Sequence, residues 1–103
     1  YCQHKIMRKA IDYLKDALKL LDGESDAQKA EQIGIQRSTL SKYLLGKRVM
    51  DNYSCVVVAN ILGIDPMLCI CSASYENESS EEKKQFWLDL WNELNARSTA
   101  GNS

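Results

Sequence analysis

One hundred and three residues, 45% of them hydrophobic, suffice for one small domain with its own core and leave no room for a second. No run approaches the roughly 18–20 apolar residues of a membrane span, and the start, YCQHKIMRK, lacks the apolar core of a secretory signal, so a cytoplasmic chain with no membrane partner is expected. Thirteen basic residues against fourteen acidic ones give a net charge of −1, but residues 1–50 hold ten Lys and Arg against six Asp and Glu, and residues 51–103 three against eight.

That asymmetry points to a basic working face in the first half and an acidic remainder. Helical spacing dominates. From Ile6, apolar residues recur at Ala10, Tyr13, Leu14, Ala17, Leu18 and Leu21, the stripe of an amphipathic helix, with Gly23 expected to close it. Ser25 is expected to cap a second helix over Asp26–Ile33, whose first turn Asp26 favours. Gly34 breaks the pattern, and a third helix follows over Arg37–Leu45 until Gly46 stops it. Asp51 or Asn52 caps a fourth that runs to Leu62, with Gly63 just past its end. Its VVV run at 56–58 prefers strand, so the helix rests on its flanking caps.

Asp65-Pro66 is a restart signal, a capping side chain followed by proline at the first helical position. A fifth helix is expected from Pro66 to about Tyr75, although LCIC also suits a short strand. ENESS, 76–80, is a polar hinge, and Ser79 with Glu82 makes a capping box ahead of EKKQFWLDLWNEL. The chain is thus expected to be all-α with five to six helices. Residues 1–65 form the region around the third helix, 66–97 the C-terminal helices, and 98–103 a flexible tail.

Cys2, Cys55, Cys69 and Cys71 are too sparse for a disulfide framework and fit no zinc spacing, since the one histidine is His4. They read as reduced, small apolar residues. No metal or cofactor is expected. With one histidine and no carboxylate pair or nucleophile–base pair that falls in a common pocket, neither is enzymatic activity.

Residues 34–48, GIQRSTLSKYLLGKR, stand out. Gly34 can take the left-handed conformation of a sharp turn, and Ala30, four residues earlier, is small enough for two helices to cross closely. Ile33, Ile35, Leu40 and Tyr43 would fill the angle between them. Ser38, Ser41, Lys42 and Leu45 are left on the other side of the third helix, with Arg37 at its start and the basic pair Lys47 and Arg48 after the glycine.

The stretch SDAQKAEQIGIQRSTLSKYLLGKR, residues 25–48, resembles the lambda-repressor-like (Cro-like) helix-turn-helix family. Its marks are Ala30, Gly34, the inward Leu40 and Tyr43, and the closing GKR; LGID at 62–65 extends the likeness over roughly residues 6–68. The arrangement also looks like phage-encoded regulators that carry extra C-terminal helices. The resemblance implies a DNA-binding regulator of transcription, most simply a repressor, with helix 37–45 in the major groove. It implies base reading by Arg37, Ser38 and Lys42, further hydrogen bonds to base or phosphate from Gln36, Thr39 and Ser41, and phosphate contacts from Lys47 and Arg48. Three positions depart from the family pattern: Asp26 stands where glutamine is frequent, Gln36 where Ser or Thr usually caps, and Leu45 where asparagine is common.

Phe86, Trp87, Leu90, Trp91 and Leu94 form one apolar stripe too large to leave in water. A two-fold dimer is the expected way to cover it, placing two recognition helices about 34 Å apart; the other way is to fold the helix back onto its own domain. Two further functional readings remain open: an antitoxin-like regulator that also binds a partner protein, and a protein-interaction module that uses the same scaffold without DNA.

Overall fold

The computed structural model describes residues 7–23 and 25–101, as six helices: α1 (Ala10–Leu20), α2 (Asp26–Ile33), α3 (Arg37–Leu44), α4 (Asn52–Leu62), α5 (Pro66–Asn77) and α6 (Glu81–Gly101). Among the described residues there is no strand, so LCIC is helical and the chain is all-α. Cys2, His4, Ile6 and the last two residues of the tail lie outside the described residues.

Most helix starts follow local capping chemistry. The Ser25 side chain accepts from the Gln28 N–H at 3.2 Å, and the Gln28 side chain answers the Ser25 N–H, a complete capping box. Asp51, rather than Asn52, caps α4 by accepting from Ser54 N at 2.9 Å, and Asp65 caps α5 ahead of Pro66. Gln36 begins α3 with no side-chain cap.

Several boundaries differ from expectation: α1 begins at Ala10 with residues 7–9 outside it, α3 ends at Leu44, and α5 runs on to Asn77 through the first two residues of the expected hinge. The α1 backbone turns extended at Leu21 (φ −85°, ψ 144°), two residues before Gly23, so the glycine follows the helix end instead of making it. The box before α6 is displaced by one residue: Ser80 Oγ accepts from Lys83 N at 3.4 Å, and Glu78 holds Ser80 N at 3.2 Å. Ser79 and Glu82 therefore do not form the cap. Finally, α6 continues helically to Gly101.

One core joins all of this. α1 packs on α4 and α5, α4 on α5, α5 along α6, and α2 on α3. Leu14, Ala17, Ile33, Leu40, Cys55, Val58, Cys69, Cys71 and Trp91 belong to a single buried cluster. The helices α1, α4, α5 and α6 make a base, and the shorter pair α2–α3 joins it through the packing of α2 on α4 and the buried Ala30, Ile33, Leu40 and Tyr43. No described helix is long and apolar enough to cross a membrane.

The aromatic stripe on α6 meets that base. Trp91 is 2% exposed, and its indole N–H donates to the Tyr13 hydroxyl of α1 at 3.0 Å. Trp87, Leu90 and Leu94 are half-buried against the same core. Of the five, only Phe86 stands in water, 58% exposed and edge-on to Trp87. Trp91 is thus an internal anchor of the fold and is not available as the centre of a dimer contact.

Candidate nucleic-acid interface

α2 and α3 are joined by Gly34, Ile35 and Gln36 alone. The turn is built by Gly34 at φ 93°, a left-handed conformation that costs a residue with a β-carbon roughly 1–2 kcal/mol. Its N–H bonds back to the Ala30 carbonyl at 2.9 Å, and the Ile35 N–H reaches the same oxygen at 3.0 Å, closing the end of α2. Ala30, Ile33, Leu40 and Tyr43 are buried between the helices and the base, with Ile35 half-buried beside them.

Burying Leu40 and Tyr43 fixes what α3 shows to solvent. Positions 38, 41, 42 and 45 fall within an arc of about 100° on the opposite side of the helix, and all four are exposed. Gln36 and Arg37 are exposed at its start, Thr39 is half-buried, and Lys47 and Arg48 are exposed on the loop after Gly46. The eight polar candidates thus lie on one short helix and its flanks. Ser38 Oγ donates to Gln36 Oε1 at 3.5 Å across the first turn.

The electrostatics of this edge are one-signed. From Gln32 to Met50 the chain carries Arg37, Lys42, Lys47 and Arg48 and no carboxylate. Among the described residues none of the four has an ion-pair partner; the ion pairs lie at α1, where Asp16 meets Lys19 of the same helix and Arg8 just before it, and on α6, where Arg97 meets Glu93. Four extended cations without internal counter-charges are free to neutralise an external anion. Acidic side chains border the stretch at Glu31 and Asp51, and Asp26 is exposed in the first turn of α2.

Leu45 is 66% exposed. It borders a groove of about 390 Å³ between the end of α3 and the start of α1, lined also by Lys9, Leu44, Arg48 and Glu76. Glu76 closes this corner by accepting from the Ala10 N–H at 2.9 Å, which caps α1 from another helix. Among the described residues no three His, Cys, Asp or Glu side chains gather as they would around a metal ion.

Two residues that sequence reading did not single out complete the unit. The Tyr53 hydroxyl donates to the Ile33 carbonyl at 3.1 Å, and the Ser54 hydroxyl lies 3.4 Å from that of Tyr43. Nothing in the local pattern around residue 53 signals a contact twenty residues away. No protein-family model, curated protein or solved structure matches this chain.

Proposed function

We propose that this chain is a sequence-specific DNA-binding regulator of the helix-turn-helix kind, most simply a repressor of the phage type, with α3 as its recognition helix. The carrying observation is the outward side of α3: exposed hydrogen-bonding side chains flanked by four cations that pair with no acid among the described residues, with no carboxylate between Gln32 and Met50. An eight-residue helix exposed along one side is of the size a major groove admits. Arg37, Ser38 and Lys42 read base edges in this arrangement, Gln36, Thr39 and Ser41 support them, and Lys47 and Arg48 hold phosphates. A two-fold pair of chains suits the spacing of successive major grooves, with Phe86 the part of the α6 stripe left for such a contact.

The test is selection from a pool of randomised duplexes, followed by sequencing. The expected result is a two-fold symmetric motif with half-sites about one helical turn apart. Folded protein that enriches nothing at low salt would overturn the reading and favour a protein-interaction module. Exposed Leu45 beside its groove and exposed Phe86 are the surfaces such a module, or an antitoxin-like regulator, would offer a partner.

A further inference from the structure

α3 is lightly attached for a helix that must hold side chains in register. Leu40 and Tyr43 are its buried residues. Among the described residues the one side-chain hydrogen bond that ties it to another helix is that between the Tyr43 and Ser54 hydroxyls, inside the core at 3.4 Å. The residue before Ser54 makes the matching tie to α2. Tyr53 is 55% exposed, yet its hydroxyl bonds the carbonyl of Ile33, the last residue of α2. The same oxygen occupies the space a β-carbon on Gly34 would need. Consecutive residues in the first turn of α4 therefore grip α2 and α3 separately. That turn is itself pinned, by the Asp51 carboxylate on Ser54 N and the Asp51 carbonyl on Cys55 N at 3.0 Å.

We propose that Tyr53 and Ser54 are positioning residues for base recognition, setting the angle between α2 and α3. The inference rests on the DNA-binding reading above. Its physical content is a separation of two kinds of contact. Phosphate contacts by Lys47 and Arg48 are those of long, flexible side chains on the loop past α3, which can re-aim at a phosphate oxygen and so tolerate a small reorientation of α3. Hydrogen bonds from Arg37 to a base edge weaken steeply once distance and angle depart from their optimum. Loosening the grip therefore removes discrimination and spares general affinity.

The experiment compares wild type, Tyr53→Phe, Ser54→Ala and the double variant on two duplexes of equal length, the selected site and a scrambled sequence. Thermal unfolding is followed in parallel. In the double variant the preference for the selected site is expected to fall about tenfold, the loss of roughly one aligned base contact. Affinity for the scrambled duplex and its salt slope are expected to stay as in wild type. An unchanged preference, or a proportional loss on both duplexes as from a smaller folded fraction, would overturn the proposal. If Ser54→Ala prevents folding, Tyr53→Phe alone decides, since it keeps the ring over Gly34 and removes only the hydroxyl. A wild type that binds duplexes but favours none overturns the DNA reading itself, which keeps the two failures apart.

Discussion

At the scale of single residues, the proposed interface divides by what each side chain can distinguish. Arg37 begins α3 exposed to water, with no ion-pair partner among the described residues. A planar fork of donors suits the O6/N7 edge of guanine, a contact that contributes roughly 1–3 kcal/mol of discrimination. Arg37→Ala is expected to weaken binding to the selected site by that amount and to relax preference at one base pair, read by titrating single-substitution duplexes. Lys47 lies past the helix, so Lys47→Ala is expected to weaken every duplex nearly alike and to reduce the salt slope by about one unit. Wild-type behaviour in both variants would remove α3 from the interface. Gly34 supports a sharper structural prediction. A β-carbon there meets two costs, the left-handed backbone at φ 93° and the Tyr53 hydroxyl. Gly34→Ala is expected to destabilise the fold by roughly 2 kcal/mol or more. Because the colliding atom is the hydroxyl oxygen, Tyr53→Phe in the Gly34→Ala background should recover part of that loss, although alone it costs up to about 1 kcal/mol. Denaturant unfolding of the four proteins reads the coupling; strict additivity would mean that the tyrosine moves aside without cost.

At the scale of elements, α6 shows how a correct apolar stripe can still mislead about what covers it. Taking Phe86 as the origin and 100° per residue, the stripe from Phe86 to Leu94 is centred near 70°. The buried side of the helix is centred near 140°, at Trp91, with Lys84, Leu88 and Asn95 half-buried around it. Leu88, outside the stripe, faces α5, and Lys84 lays its ammonium 5.3 Å from the Tyr75 ring centre. The helix is therefore rotated by about 70° from the orientation the stripe alone suggests, which sends Phe86 into water and Trp91 into the core. Trp91→Ala is expected to cost about 3–5 kcal/mol, and so to lower the melting temperature by well over 10 °C, whereas Phe86→Ala stays within about 0.5 kcal/mol. Equal effects would refute this rotation. The start of the same helix offers a second check: Ser80→Ala should cost about 1 kcal/mol and Ser79→Ala almost nothing, both measured by thermal melts. These cases mark where the sequence was legible. The ends of α2, α4 and α5 were readable because Ser25, Asp51, Asp65, Gly34 and Gly63 act within three or four residues of themselves. The outward polarity of α3 was readable because Leu40 and Tyr43 must point inward. The hydrogen bonds Tyr53–Ile33, Trp91–Tyr13 and Glu76–Ala10 span 20, 78 and 66 residues, and no local pattern encodes them.

At the scale of the whole molecule, the helices that support the proposed interface share one core, and its thiols report whether that core opens as a unit. Cys55 on α4 and Cys69 and Cys71 on α5 are all fully buried. Burial pushes the Cys71 thiol up to about 11, so at pH 8 only about a thousandth of it would be thiolate even if a reagent could reach it. Cys69 is raised further by its contact with Cys55 and by its own burial. These thiols belong to the one buried cluster to which all six helices contribute, so reaching them requires that core to open. In a Cys2→Ser background, alkylation of the native protein is therefore expected to be slower than that of the unfolded chain by the full unfolding equilibrium. It should also accelerate with denaturant along the slope set by circular dichroism, tenfold for each 1.4 kcal/mol lost. Since an adduct on any one of the three fully buried thiols keeps the core from closing again, mass spectrometry of partly labelled samples should then show three labels or none. A single thiol labelled early, with little dependence on denaturant, would show that α5 or α6 opens locally. α4 would then no longer be a rigid base for Tyr53 and Ser54, and the angle of α3 would be free to vary in the native state.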